Sequence, residues 1–558
     1  MEEASFEERY YELLTLFERI KAEKARLSSA LQHALERESK DSRLIAQLQA
    51  ERNSLRERLS KYEAQPYERT DEIASSICIK SFKLKRGIDQ LEIKQSVATP
   101  FKLPQKLPDI SAKIEVLQPT SGLFEYFVVL GPSARESEPT VLFSFPDQQS
   151  ALIPLLPDFC FPEGLHVRQM SFNDSASDFH QILYGQNVLV RSANWYIFTL
   201  KAPEEWLQVS DDWDRPNKDK EVLYCVCLQI NDLQENVVAP KTLCLLSYHA
   251  CFELHFEVIT KLLAIQRLRR LQNMAAPGGL AQMQVENLGA EEMMLLVNYQ
   301  QALIPMPHAQ VVLELSSVDP LKLNYPADLW RMDTEWVCPL LFSMLRFQDF
   351  YWLVMAHMLE KSIVFVSSNL GLLTSCVLAM SAVIRPFKWP HLLSPILPFS
   401  LREILEAPVP LMVGIASAPP KRKNYAHIIW VMLDEPKIGK RVQAKDTVVR
   451  DVKEPYAENL KQWLSVAYKH FSSERPVFLP TAAQRNAASE IVKQTRQYWE
   501  SLLVALPEVP PIVPGGNYLD VDGLSRTISS VMPAPDQRFL KPFLQTQLFV
   551  NHVEERYA

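Results

Sequence analysis

The pattern of apolar and polar positions turns on residues 360–414. No charged residue lies between Lys361 and Arg385, a length that would also suit a membrane span. Ser362 to Val366 is short, apolar and rich in β-branched residues, as a strand buried on both faces would be. Ser367, Ser368 and Asn369 then interrupt the run with three helix-capping residue types, and Gly371 follows. From Leu370 the apolar positions recur helically to Ile384, and Pro386 stops the helix. A spanning helix gains nothing from Ser-Ser-Asn-Leu-Gly at its centre, so the pattern predicts a buried strand, a turn and a buried helix.

Elsewhere the period changes several times. Residues 1–66 lack Gly and, up to the closing Pro66, lack Pro, and they carry heptads. Tyr10, Phe17, Leu31, Ile45 and Leu59 occupy one seam position; Leu13, Ile20, Leu27, Ala34, Leu48, Leu55 and Tyr62 occupy the other. A coiled coil is expected, and its seam needs a partner: a second copy or an adaptor. One long amphipathic helix packed on the body would show the same apolar face. Residues 67–117 read as a connector broken by Pro100, Pro104 and Pro108, with a small basic cluster at Lys80, Lys83, Lys85 and Arg86.

Between residues 118 and 272 strands dominate. Leu123–Leu130 and Thr140–Phe145 flank a turn composition, Gly-Pro-Ser-Ala-Arg-Glu-Ser-Glu-Pro. Asn194–Leu200, Glu221–Ile230 and Lys241–Ser247 are further strands, and Cys251 to Leu271 is an amphipathic helix. Residues 273–300 read as a linker and 301–440 as an α/β alternation in which Ile428–Leu433 is a strand and Asp434 begins a turn. Residues 441–558 are mostly helical, with Trp463, Tyr468, Ile491 and Trp499 expected in the core and Val509–Pro535 expected as a loop.

Composition narrows the chemistry. At 558 residues several structural units are expected. A formal net charge of −7 excludes the basic excess of a dedicated nucleic-acid binder. With only 14 glycines there is no Gly-rich phosphate loop and so no expected nucleotide cofactor. No Cys-x-x-Cys or His-Glu-x-x-His occurs, so no metal or covalent catalytic site is expected. Cys225 and Cys227 sit one residue apart on a strand, and Cys251 with His255 reads as a pair of core residues. The acidic, polar Met1 end has no secretory pattern, so a cytoplasmic chain with reduced thiols is expected.

The order strand, Ser-Ser-Asn, apolar helix, Arg-Pro-Phe-Lys-Trp-Pro-His, Ser-Pro-Ile-Leu-Pro, then Ala-Pro-Val-Pro-Leu-Met-Val-Gly resembles the central portion of the tripartite DENN domain family. Phe143 to Pro146, Leu156 to Gly164 and Pro240 to Phe252 resemble the upstream portion, and Phe539 to Arg556 resembles the helix closing the downstream portion. The resemblance implies an α/β fold: a longin-like upstream lobe, a central sheet with parallel strands and helices on both faces, and a helical downstream part. It also implies a guanine-nucleotide exchange factor for a Rab-class small GTPase, acting on vesicle or endosomal membranes without covalent chemistry. A non-catalytic scaffold or effector is the alternative. A GTPase-activating protein is a further one and would need an exposed arginine such as Arg385.

Ser367, Ser368 and Asn369 are the candidate GTPase contacts, because they follow a buried strand at the sheet edge where ligands bind. Asp434 and Glu435 are candidates for a basic patch on the partner. Trp389, Pro390, Pro395 and Pro398 match the family pattern but read as core. Lys421 to Lys423 forms a basic loop that could meet an anionic membrane.

Overall fold

The computed structural model describes residues 122–557 except 134–135, 148–149, 170–189, 202–221, 235–236, 276–287, 314–319, 421–424, 456–457, 472–474, 505, 508–519 and 532–535. The chain divides into Met1–Lys102 and Leu103–Ala558, and all described residues belong to the second unit. The predicted coiled coil, the connector and the Lys421–Lys423 loop lie outside the described residues.

Alternation with period two builds the first sheet. Its strands are β1 (Tyr126–Ser133), β2 (Glu136–Phe145), β3 (Arg168–Gln169), β4 (Trp195–Lys201), β5 (Val222–Gln234) and β6 (Val237–Ser247), with the short helix α1 (Leu156–Cys160) between β2 and β3. They pair antiparallel in the order β2-β1-β6-β5-β4, and β3 also pairs with β6. Phe127, Val129, Trp195, Ile197, Val226, Leu228, Leu243 and Leu245 face the main core. The alternate residues, including Val128, Tyr196, Phe198, Cys225, Cys227 and Cys244, face a second core with Leu156 and Cys160. Both faces are therefore buried, as the apolar strands require. The stretch that reads as a turn between β1 and β2 is strand except at residues 134–135. Pro139 fits because β2 is an edge strand with no outer ladder to feed.

Helix α2 (Phe252–Ala275) and helix α3 (Ala290–Gln300) follow. Leu295, Leu296 and Tyr299 bury the apolar face of α3, and His255 of α2 hydrogen-bonds the Tyr299 hydroxyl. A small hairpin, β7 (Gln310–Leu313) with β8 (Leu321–Asn324), leads into helices α4 (Arg331–Met344) and α5 (Phe347–Met358).

Next come β9 (Ile363–Val366), α6 (Leu370–Val383), β10 (Leu392–Ser394), β11 (Leu411–Ile415), β12 (Ile429–Met432) and β13 (Val442–Gln443). The second sheet has the order β10-β11-β9-β12-β13, the first four strands parallel and β13 antiparallel. Every residue of β9 is buried because it is central and covered on both faces. Ile363, Phe365, Met412, Ile429 and Val431 join the main core beside α6. Val364, Val366, Leu411, Val413 and Trp430 face a separate cluster closed by Leu397 and Leu405. That cover comes from a 3₁₀ stretch, Phe399–Glu406, where the family pattern implied a helix on each face. Prolines at 395, 398 and 408 leave too short an uninterrupted run for an α-helix there.

The downstream part contains α7 (Asp446–Asp451), α8 (Glu458–Tyr468), α9 (Ala482–Leu503), α10 (Val521–Val531), α11 (Gln537–Phe543) and α12 (Gln547–Tyr557). Thr481 caps α9 in a capping box with Gln484. Tyr468, Ile491 and Trp499 are buried as expected, but Trp463 is 63% exposed. Leu460, Leu464 and Tyr468 take the inward face of α8 at i, i+4 and i+8, which turns Trp463 outward. The expected loop at 509–535 contains α10, which buries Leu524 and Ile528 four residues apart. Among the described residues no helix is long and apolar enough to cross a membrane.

Candidate functional site

The carboxyl ends of the parallel strands gather four of the five sequence-selected residues into one hydrogen-bonded turn. Asp434 follows β12 and Ser367 follows β9, and Leu433 N–H donates to Val366 O (2.9 Å), bringing the two strand ends together. The Ser367 hydroxyl donates to Asp434 Oδ1 at 2.7 Å. Ser368 donates to Asp434 Oδ2 through its backbone N–H at 2.8 Å and its hydroxyl at 3.3 Å. Asn369 N–H donates to the Ser367 hydroxyl at 3.1 Å. The Asn369 side chain accepts from Leu372 N–H at 2.9 Å and so caps α6. Ser367 is buried, whereas Ser368 and Asp434 are exposed. The result is a carboxylate held in one orientation at the surface by three donors. Glu435 stands apart: its backbone pairs with Met432 and Arg441, and it takes no part in the serine contacts.

The same edge of the sheet abuts the first sheet. Gly371 N–H donates to Ala193 O at 3.3 Å, and Thr374 Oγ1 accepts from Ile197 N–H at 3.1 Å. Helix α6 thereby covers the free edge of β4 and satisfies a donor that no strand would meet. Only glycine fits at 371, since a Cβ there would sit 2.3 Å from Trp195 O. A second bridge joins Phe399 N–H to Pro162 O at 3.2 Å. Beyond it the 3₁₀ stretch presents Phe399 (67% exposed), Leu401 (47%) and Ile404 (37%) to solvent. Arg402 lies 4.7 Å over the Phe399 ring and 3.6 Å from Glu163. The carboxyl ends of the second sheet's strands are thus followed by a fixed carboxylate at Asp434 and, on the separate 399–404 stretch, by exposed apolar side chains, features suited to protein contact. Sequence reading missed Phe399 and Leu401, which lie in a proline-flanked segment with no periodic signal.

The remaining candidates serve packing. Trp389 is half-buried against His357, with ring centroids 4.2 Å apart, and donates to Leu392 O. Pro395 and Pro398 are buried and Pro390 is partly so. Arg385 is bound to Asp333, Trp330 O and Thr334, so it has no guanidinium free to reach a nucleotide phosphate. That anchoring removes the feature on which a GTPase-activating reading would rest. Cys251 and His255 are core residues: His255 bridges Tyr299 and His249 O, and burial pulls its pKa down to about 4. A cleft of about 590 Å³ opens where α2, β8, α4 and residues 478–485 meet, lined among others by Arg191, Glu257, Trp336 and Leu479. It contains none of the five sequence-selected residues.

Residues 238–436 match the DENN (AEX-3) domain, a span that runs from β6 to the turn after β12 and includes every residue of the Ser367–Asp434 constellation. The chain carries a DENN domain. DENN domain-containing protein 2B of Homo sapiens is 22% identical over 357 residues, covering 59% of this chain and 26% of that protein. DENN domain-containing protein 2D of Mus musculus is 22% identical over 355 residues, covering 60% of this chain and 62% of that protein. Myotubularin-related protein 5 of Caenorhabditis elegans is 38% identical over 78 residues, 14% of this chain and 4% of that protein. The chain thus spans about a quarter of the first curated relatives it matches.

Proposed function

We propose that this DENN-domain protein is a guanine-nucleotide exchange factor for a Rab-class small GTPase. The observation that carries the reading is the exposed Asp434 carboxylate, locked by Ser367 and Ser368, on the same sheet edge as exposed Phe399 and Leu401. Exchange needs no acid–base pair. A factor that binds the nucleotide-free GTPase more tightly than the loaded one weakens GDP binding by the same ratio, and about 1.4 kcal/mol of coupling corresponds to about tenfold. A pre-oriented carboxylate suits that task, because it can take the place of a contact that the GTPase otherwise makes to its Mg²⁺–nucleotide complex or to its own switch residues.

The two-sheet body is read as the longin-like and central DENN lobes, with residues 441–558 as the downstream portion. The N-terminal heptads are read as a coiled coil that forms a homodimer or recruits an adaptor, and the chain as peripheral on vesicle or endosomal membranes. No cofactor or metal enters the exchange step.

The test is release of a fluorescent GDP analogue from a panel of Rab-class GTPases, with and without the protein. Acceleration for one or two members supports the exchange factor and identifies its substrate. A GTPase that is captured equally well with GDP and without nucleotide, with no acceleration, replaces this reading with the scaffold or effector.

A further inference from the structure

The face of the first sheet opposite the main core holds a cluster that the exchange reading does not use. Cys227 of β5 and Cys244 of β6 are register partners on neighbouring strands, and both face the second core. Cys160, the last residue of α1, packs down onto them, and the three Sγ atoms lie within 4.8 Å of one another. All three residues are fully buried. The Tyr196 hydroxyl faces the same space and donates to Cys160 O at 3.2 Å. Sequence spacing could not reveal the group, since its members come from three elements and form no Cys-x-x-Cys.

The geometry points to a binding site for a divalent d¹⁰ ion of the zinc class, held by Cys160, Cys227 and Cys244. At a metal–sulfur distance of about 2.3 Å, two sulfurs on one ion are at most about 4.6 Å apart. Three sulfurs sharing one ion sit closer, about 4.0 Å apart in a trigonal plane, so the trio, within 4.8 Å of one another, would draw together by less than about 1 Å on binding. Thiolate donors select soft or borderline ions over Mg²⁺ or Ca²⁺. Charge then favours a divalent ion: three thiolates leave a net −1 around M²⁺ but −2 around Cu⁺, and buried net charge is costly. The bound ion would pin α1 to the sheet and hold the Phe161–Glu163 turn, whose Pro162 carbonyl receives the Phe399 N–H.

Binding is written M²⁺ + 3 RSH → [M(SR)₃]⁻ + 3 H⁺. Burial raises the pKa of all three thiols, so each enters the reaction protonated. The other titratable groups facing the trio are the Tyr196 phenol and the Cys225 thiol. Apparent affinity therefore rises steeply with pH, by up to about 10³-fold per unit while three protons are released.

The full chain, reduced and freed of metal with a chelator, is titrated with Co²⁺ and then Zn²⁺. One equivalent of Co²⁺ producing sulfur-to-metal charge-transfer bands and ligand-field bands far stronger than those of octahedral Co²⁺, lost on Zn²⁺ addition, is the expected result. Cys160→Ser removes the charge-transfer bands, Tyr196→Phe retains them, and Cys251→Ser and Cys376→Ser leave them unchanged. A variant-independent arm uses the unaltered protein: pulsed alkylation read by peptide mass spectrometry, with and without Zn²⁺. At one hundred times Kd, labelling of Cys160, Cys227 and Cys244 should slow together by about 100-fold if it proceeds through metal-free opening. Weak octahedral bands alone, binding indifferent to pH, or protection shared evenly with Cys338 and Cys376 overturns the site.

Discussion

At the scale of single residues, Asp434 is the informative side chain. Its carboxylate accepts from Ser367 and Ser368, 67 and 66 residues away in the chain. Both partners were legible as polar interruptions after apolar strands; their mutual hydrogen bonds were not, because register between parallel strands is set in three dimensions. Asp434→Ala should slow exchange at least about tenfold while costing on the order of 1 kcal/mol of stability, the usual worth of such bonds at a surface. Parallel GDP-release and thermal-unfolding measurements would separate the two effects, and normal exchange would remove Asp434 from the interface. His357 makes a different prediction. Its ring is fully buried against Trp389, and desolvation, aided by His391, pulls its pKa down to about 3. An unfolded histidine titrates near 6.5. The folded value is the lower one, so the contribution is intact above about pH 6.5 and is lost as pH falls toward 3. At pH 5 the loss is on the order of 2 kcal/mol. Tm measured from pH 7.5 to 5 should fall, and His357→Phe should flatten that slope, leaving the part due to His255 and His552, whose pKa values burial also lowers.

Among the elements, α6 decides how the lobes meet. Its cap, its apolar length and its proline stop are all local signals, which is why its boundaries could be read from residue types. Its docking against β4 is not local. Gly371 is required by the approach of three backbone carbonyls from residues 192, 193 and 195. Gly371→Ala should destabilise by about 1–3 kcal/mol through overpacking against a backbone that cannot swing aside. Thr374→Val keeps the shape but leaves Ile197 N–H without its acceptor, for a cost of about 1–3 kcal/mol. Chemical denaturation of the two variants checks both, and an unchanged midpoint for either would mean that the lobes do not depend on this contact. Helix α10 shows the opposite limit. Gly and Ser lower its intrinsic helicity, yet burial of Leu524 and Ile528 supplies the stabilisation that propensity lacks.

For the whole molecule, the proposed docking surface is assembled from separate stretches: the 367–369 turn, Asp434 and the 399–404 stretch. Replacing the exposed pair Phe399 and Leu401 by Asp should abolish most GDP-release activity while changing stability by less than about 1 kcal/mol, since neither side chain is core. Exchange that survives this double substitution would move the docking surface elsewhere, with the 590 Å³ cleft as the next place to test.

Residue types alone pointed to the α/β alternation, the buried strand–turn–helix at its centre, the resemblance to a DENN domain over the span that matches it, and the candidates Ser367, Ser368, Asn369, Asp434 and Glu435. Each depends on neighbours a few positions apart, where periodicity, capping and proline stops operate. Tertiary structure decided that Asp434 locks the serine turn, that Arg385 is tied to Asp333, that Trp463 faces solvent and that three cysteines converge. These facts depend on which faces meet across tens to hundreds of residues, and packing, not local preference, sets that choice.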